Sequence, residues 1–345
     1  MLNLEYTLPI APNFDPKKVA SVWRVHYQEI AKEARLWANS YAIKPSSNDK
    51  VRICLLLIDV QNTFCLPDFE LFVAGKSGTG AIDDNVRLCE FIYRYLAIIT
   101  EIIPTMDTHM PIQIFNEIFW INNNGEHPTP MTVISTDDVK NGIWQVNPVI
   151  SNNNKNVQQY AMHYVTQLEQ GGKYPLIIWP YHAMLGGIGH ALVASIEEAI
   201  FFHSIARQCH GGIEMKGTNP LTEHYSALRP DILNDAEGIP IAQKNYSFIE
   251  KLLSFDALII AGQAKSHCVA WTVDDLIGEI MAKKPQLLPN VYILEDCTSP
   301  VVVPGVVDFT EVADDTFRRF AATGVNIVKS TDTRIFSDLT YKKRA

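Results

Sequence analysis

The stretch Ala261-Gly-Gln-Ala-Lys-Ser-His-Cys268-Val-Ala-Trp-Thr-Val-Asp-Asp275 sets one thiol between a short apolar run, Ala257-Leu-Ile-Ile260, and a helix-like segment. Cys268 therefore falls at the carboxyl end of a strand and the amino end of a helix. Ligand sites in open α/β sheets lie at such strand ends. A helix amino end favours a thiolate over a thiol. The position suits a nucleophile, and other strand ends supply partners for it. Asp59 follows the run Cys54-Leu-Leu-Leu-Ile58 and reads either as a cap or turn aspartate or as a partly buried functional carboxylate. Asp107 and His109 end a second run as Asp-Thr-His. Residues two apart in an extended chain point to one side. A carboxylate beside an imidazole suits a divalent metal if a third ligand arrives from elsewhere; a turn with a hydrogen-bonded histidine is the alternative. Trp179-Pro-Tyr-His182 ends a further run. His182 is the candidate third ligand, and Trp179 is either a pocket wall for a flat substrate or a core tryptophan. Lys216 follows Gly212-Ile-Glu-Met215 and either stabilises developing negative charge or is a solvated loop lysine.

The elements that must position these groups alternate along the chain. Apolar runs at Ile53–Asp59, Ile98–Met106, Pro175–Trp179, Gly212–Met215, Ala257–Ala261, Val291–Glu295 and Val325–Val328 alternate with helix-period segments. The helical segments are Asp84–Leu96, Gly189–Gln208, Tyr246–Leu253, His267–Ala282 and Phe309–Thr323, the last ended by Gly324. Such alternation predicts a three-layer α/β/α fold on a mostly parallel sheet. Residues 1–48 form an N-terminal extension, with Asp15-Pro16 opening a helix that runs to about Trp37. The main domain spans 49–335, and 336–345 is a C-terminal tail. Between about 112 and 172 the pattern breaks at Asn122-Asn-Asn-Gly and Ser151-Asn-Asn-Asn-Lys, marking an insertion with a strand near Met131–Ser135 and a helix near Val157–Leu168.

Composition narrows the function. The chain has 345 residues, 47% of them hydrophobic, and a net charge of −9 without a basic stripe. Nucleic acid and anionic membranes are therefore not expected as partners. The apolar stretch Ala183–Phe202 is broken by His190, Glu197 and Glu198 and reads as a buried helix. The six cysteines lack paired spacing, and no secretory pattern opens the sequence, so a cytoplasmic protein with reduced thiols is expected. Gly75-Lys-Ser77 lacks the earlier glycine of a phosphate-binding loop, and no Gly-x-Ser-x-Gly elbow occurs. Cys209-His210 closes a helix and reads as structural; Cys65 is a stray thiol near Asp59. His267 abuts Cys268, but neighbours in a turn diverge, which argues against it as the base.

Taken in order, these segments resemble the isochorismatase-like cysteine hydrolases, and within them the nicotinamidases. Ile58-Asp-Val-Gln-Asn-Thr-Phe64 is similar to the family's first motif, Asp107-Thr-His109 and Trp179-Pro-Tyr-His182 to its metal motif, and Lys216-Gly with Tyr225-Ser226 to its lysine segment. Gly262-Gln-Ala-Lys-Ser-His-Cys268-Val is similar to its nucleophile loop, and Leu294-Glu-Asp-Cys297 to a later structural motif. The likeness covers most of 51–330. It implies a triad of Asp59, Lys216 and Cys268, and a non-proline cis peptide between Gln263 and Ala264. It also implies an oxyanion hole from the Ala264 and Cys268 N–H groups, and substrate contacts from Phe64, Trp179 and Tyr225. Asp107, His109 and His182 would hold a divalent metal, zinc first, with manganese or iron as alternatives. The implied reaction converts a small, nicotinamide-like amide to acid and ammonia through a thioester, in a homo-oligomer. The rival readings are a metal-independent hydrolase of another amide, ureido compound or isochorismate-like substrate, and a scaffold that kept the fold. Departures from the family pattern are the 75 positions from Asp107 to His182, Gln113 where many nicotinamidases have a further histidine, Ala183 in place of cysteine, Lys265-Ser266 in the nucleophile loop, and the N-terminal extension.

Overall fold

The computed structural model describes residues 7–151, 155–172 and 174–332. The expected tail at 336–345, the first six residues of the extension and Asn152–Asn154 of the expected loop lie outside the described residues. Strands β1 (Ile53–Ile58), β2 (Glu101–Asp107), β3 (Glu214–Lys216), β4 (Ala257–Gly262), β5 (Val291–Leu294) and β6 (Asn326–Val328) form one sheet. Its order is β6-β5-β4-β1-β2-β3, and every neighbouring pair is parallel. Parallel neighbours require crossover connections, and these cover both faces. The helices of eight residues or more are α1 (Tyr27–Ser40), α2 (Gly80–Arg94), α3 (Lys155–Gln170), α4 (Ala194–Arg207), α5 (Tyr246–Leu253), α6 (Cys268–Lys283) and α7 (Thr310–Thr323) among the described residues.

β1 explains why its sequence is apolar throughout. Alternate residues face opposite sides of a sheet, and all six of its residues are buried. Ile53, Leu55 and Leu57 share a core with Leu88 and Ile92 of α2 and Ile196 and Phe202 of α4. Cys54, Leu56 and Ile58 share another with Phe248 of α5, Val269 and Val273 of α6, and Phe317 of α7. Each such Leu or Ile side chain contributes roughly 1.5–3 kcal/mol on burial. The chain builds outward from β1 first through β2 to β3, then on the other side through β4 to β6. That reversal leaves a crevice at the carboxyl ends of β1 and β4, where open α/β sheets bind ligands.

Two expectations are corrected. The single helix from Asp15 to Trp37 is instead a short 3-10 turn at Pro16–Lys18, capped by the Asp15 side chain, then an extended stretch, then α1. Val19 and Val25 are both buried, at 0% and 3% exposure. Six residues apart on a helix they would point about 120° apart, beyond a narrow apolar stripe of about 100°, whereas the break lets both face the core. The Pro175–Trp179 run does not join the central sheet. Leu176–Ile177 pairs antiparallel with Val133–Ile134, inside the insertion. The insertion adds a second antiparallel pair, Trp120–Ile121 with Gln145–Val146, and α3. These segments bury their own cluster, including Phe115, Trp120, Tyr164, Ile178 and Trp179. A run that fills this separate core looks in sequence like a central strand, because both are continuous apolar segments.

Candidate active site

Five segments meet at the carboxyl edge of the sheet. Asp59 leaves β1 with φ +46° and is fully buried. This left-handed backbone is uncommon outside glycine and asparagine. Thr105 of β2 both accepts the Asp59 N–H at 3.1 Å and donates its hydroxyl to Asp59 Oδ1 at 2.6 Å. Lys216, the last residue of β3, is 2% exposed. Its ammonium lies 3.0 Å from Asp59 Oδ2, 2.9 Å from Asp107 Oδ1 and 3.6 Å from Cys268 Sγ, and donates to the His224 carbonyl at 2.9 Å. Asp59 Oδ2 meets the Lys216 ammonium at 3.0 Å, and the Asp59 carboxylate also pairs with the Cys268 thiol by a side-chain hydrogen bond. Cys268 opens α6.

Two glycines make this convergence possible. Gly262 has φ +116°, and a Cβ there would lie 2.0 Å from the Ile58 carbonyl oxygen, so β4 can approach β1 so closely only with glycine. Gly217 has φ +85°, and its Cβ would lie 2.7 Å from Asp107 Oδ1 and 2.9 Å from His109 Cε1. The glycine after Lys216 thus leaves space for the neighbouring Asp-x-His pair.

Asp107, His109 and His182 bring their ligand atoms within 4.8 Å of one another, all three buried. His182 does not arrive on a strand of the sheet. The following residues run beside the continuation of β2, with the His109 N–H donating to the Ala183 carbonyl and the Leu185 N–H to the His109 carbonyl, both at 3.0 Å. His182 Nδ1 lies 2.8 Å from the Pro180 carbonyl and His109 Nδ1 lies 3.4 Å from the Gly217 carbonyl. A carbonyl only accepts, so both rings carry their proton on Nδ1 and turn an Nε2 lone pair inward. His109 Nε2 is 2.7 Å and His182 Nε2 3.6 Å from Asp107 Oδ2. Three acceptors so close need a shared cation or proton, and this N/N/O donor set suits a divalent metal. Gln113, at the position of the extra histidine, is turned away. Its amide donates to the Gly217 and Asn219 carbonyls and accepts the Met110 N–H.

Burial and charge set the protonation. Burial is the largest influence on Asp59 and raises its pKa against the pull of Lys216, with Asp107 adding to the rise. Burial works against the Lys216 ammonium, but Asp107, Asp59 and Cys268 overcome it and hold the amine well above its ordinary pKa. Burial also acts to raise Asp107, yet His109 and Lys216 hold it well below the usual carboxylate range. Cys268 is pushed well above an ordinary thiol by burial, against Lys216 and with help from Asp59 and Asp107. The resting sulfur therefore keeps its proton, contrary to the thiolate that the helix end suggests. A helix end contributes about 0.3–1 kcal/mol, whereas full burial shifts a pKa by up to about 3–5 units, so burial wins.

The expected cis peptide joins Gln263 and Ala264. Among the described residues no backbone acceptor takes the N–H of Ala264 or Cys268. Both residues line a cavity of about 310 Å³, together with Phe64, Trp179, Tyr225, His182 and Asp107. Phe64 meets His182 edge to face at 5.6 Å, and the Trp179 indole N–H donates to the Tyr225 hydroxyl at 3.0 Å. The polar Gln61-Asn62-Thr63 stretch after Asp59 is a clamp. Gln61 donates to the Asp107 and His190 carbonyls and accepts the Asp107 N–H. Cys65 is fully buried and pushed up to about 12 by burial, and Cys209 follows the end of α4.

Two polar cavity residues stand outside the expected site: Glu223, which sequence reasoning missed, and His267, which it set aside as the base. Glu223 is 6% exposed, accepts the His224 N–H at 2.9 Å, and is pushed up to about 8 by burial and then by Asp107. Its only sequence signal is its place two residues before Tyr225. His267 pairs through Nδ1 with the Ser266 hydroxyl at 2.8 Å and burial pushes it down to about 3, so it is a neutral wall.

No family model and no curated protein matches the sequence. Solved structures similar to this chain are nicotinamidases, pyrazinamidases and isochorismatase-like hydrolases. An Acinetobacter baumanii nicotinamidase/pyrazinamidase is 18% identical, covering 83% of this chain and 99% of its own at a TM-score of 0.48. The yeast nicotinamidase is 20% identical, covering 80% and 99% at 0.49. A Pyrococcus horikoshii pyrazinamidase in complex with zinc is 16% identical, covering 81% and 99% at 0.40. Among the described residues no helix is long and apolar enough to cross a membrane.

Proposed function

We propose that this protein hydrolyses a small uncharged carboxamide to the acid and ammonia through a thioester on Cys268. The observation that carries the reading is one ammonium, Lys216, touching Asp59, Asp107 and the Cys268 sulfur at the end of a cavity. Asp59, with its raised pKa and its hydrogen bond to the Cys268 thiol, accepts the thiol proton as sulfur attacks the amide carbon. Lys216 holds the charge of the departing proton's partner in place. The N–H groups of Ala264 and Cys268 receive the developing oxyanion, a donor of this kind being worth roughly 10²–10³ in rate. The C–N bond then breaks, Asp59 returns its proton to ammonia, and water deprotonated by Asp59 cleaves the thioester and restores the thiol. Phe64, Trp179 and Tyr225 flank the substrate ring.

Asp107, His109 and His182 would hold a divalent metal, zinc by the donor set, with manganese or iron as alternatives. When bound it supplies a Lewis-acid contact for a ring nitrogen. The chain's own part there is orientation: Pro180 and Gly217 fix the two imidazoles, and Asp107 ties that centre to Lys216. The isochorismate-like alternative is weakened by the lining. No Lys or Arg lines the cavity among the described residues, so the lining offers a dicarboxylate no cationic side chain. The test is ammonia release from nicotinamide and a panel of small amides by the wild type and Cys268→Ala, with hydroxylamine trapping of the acyl group. Turnover by the alanine variant at the wild-type rate would falsify the mechanism.

A further inference from the structure

The cavity is polar at one end and apolar at the other. Asp107, His182, Glu223 and Cys268 gather at the inner end. The outer end is a collar of two segments, 69–74 after β1 and 301–304 after β5, presenting Phe69, Leu71, Phe72, Val302, Val303 and Pro304. The first five are only partly buried, and Pro304 is exposed. We propose that the substrate is an uncharged amide whose reactive carbonyl meets Cys268 and whose far side carries an apolar substituent filling this collar. The proposal rests on the amide-hydrolase reading of the same site and names its substrate class.

The cavity, about 310 Å³, extends from Cys268 to this collar. The collar is also tied to the reactive loops by hydrogen bonds from its backbone N–H groups. The Val73 N–H donates to the Phe64 carbonyl at 2.8 Å, and the Val301 N–H to the Ser266 hydroxyl oxygen at 3.1 Å. The rim pair Lys76–Asp308, at 3.5 Å, links the two segments. Charge sets the last limit. The collar's one acidic side chain, Glu70, is exposed and accepts from the Thr63 hydroxyl at 3.2 Å, and no basic side chain lies in the collar to compensate a buried carboxylate on the ligand.

The experiment compares kcat/KM for ammonia release from pyridine-3-carboxamide and from its 5-propyl, 5-phenyl and 5-carboxy derivatives. A fully buried methylene is worth about 0.8 kcal/mol, or about fourfold. The propyl and phenyl derivatives are expected to exceed the parent by at least tenfold, and the carboxy derivative to fall below it. Val302→Asp is expected to bring the propyl-to-parent ratio back toward one, read as a ratio on folded protein. Cysteine-dependent hydrolysis of the parent, with propyl and phenyl derivatives no better, would overturn the collar proposal and leave the amidase reading standing. Failure of Cys268-dependent release from all four would overturn both.

Discussion

Two buried cations sit at opposite edges of the same sheet. At the amino edge Arg207, 1% exposed, reaches Asp49, the Lys44 carbonyl and, at 3.3 Å, the Ile99 carbonyl. Nearby, Thr100 donates to Asp49 at 2.7 Å and His203 to the Ile99 carbonyl at 2.9 Å. At the carboxyl edge Lys216 is as deeply buried and has two carboxylates. Burial and pairing therefore do not distinguish the two. The Arg207 cluster closes on backbone carbonyls and a threonine. The Lys216 cluster includes a thiol that faces both the ammonium and the Asp59 carboxylate, and it adjoins a cavity. A buried charge pair is a strut where its further partners are backbone groups and hydroxyls, and a candidate for chemistry where a carboxylate of perturbed pKa meets a nucleophile beside a cavity.

The comparison breaks first at Cys268. Cys268→Ala should cut turnover by ~10⁴ or more with the urea midpoint unchanged; a large loss of stability with activity retained would make the carboxyl edge the strut. Arg207→Met should do the reverse. It leaves Asp49 uncompensated and is expected to cost about 3–5 kcal/mol in urea unfolding, with kcat per folded molecule unchanged. A fall in kcat without destabilisation would dissolve the distinction.

Acid should act on stability through the histidines at both edges. His203 is pushed down to about 4 by burial, and His224 and His267 to about 3. Their folded pKa values lie below the unfolded one, so the unfolded chain binds more protons below about pH 6.5. Stability is complete above that pH and falls as pH drops toward 4 and then 3. His203, fully buried, accounts for about 3 kcal/mol of that loss. His203→Gln, which can still donate to the Ile99 carbonyl, should flatten that portion in urea titrations at stepped pH. The smallest effect sharpens the carboxyl edge itself. Dialysis against a chelator should lower kcat/KM about tenfold, one ligand contact of ~1.4 kcal/mol, for a pyridine carboxamide but not for benzamide. Equal losses for both would remove the ring-nitrogen contact from the reading.

Much of the carboxyl edge was legible because a parallel sheet gathers its strand ends at one rim. Asp59, Asp107, Lys216 and Cys268 each follow a short apolar run, and the fold turns that local fact into proximity. His182 does lie beside Asp107 and His109, but not at a sheet strand's end as expected: its preceding run pairs inside the insertion while the chain after it joins β2. The amino edge was not legible. Arg207 and Asp49 lie in segments whose charged residues resemble any solvated helix end and linker. Glu223 and the collar were equally silent, because loop residues acquire a role only from what lies opposite them.

The amino-acid order by itself determined the layer architecture, the strands that end in an acid, an amine or a sulfur, and the glycines that let those ends approach. Periodicity and apolar run length are local quantities, and they fix which faces are buried. Only the tertiary structure decided that one ammonium serves both Asp59 and Asp107, joining the nucleophile to the candidate metal centre, and that Cys268 rests as a thiol. Charge state depends on the local dielectric and on distances between groups far apart in the chain, and neither exists until the segments have packed.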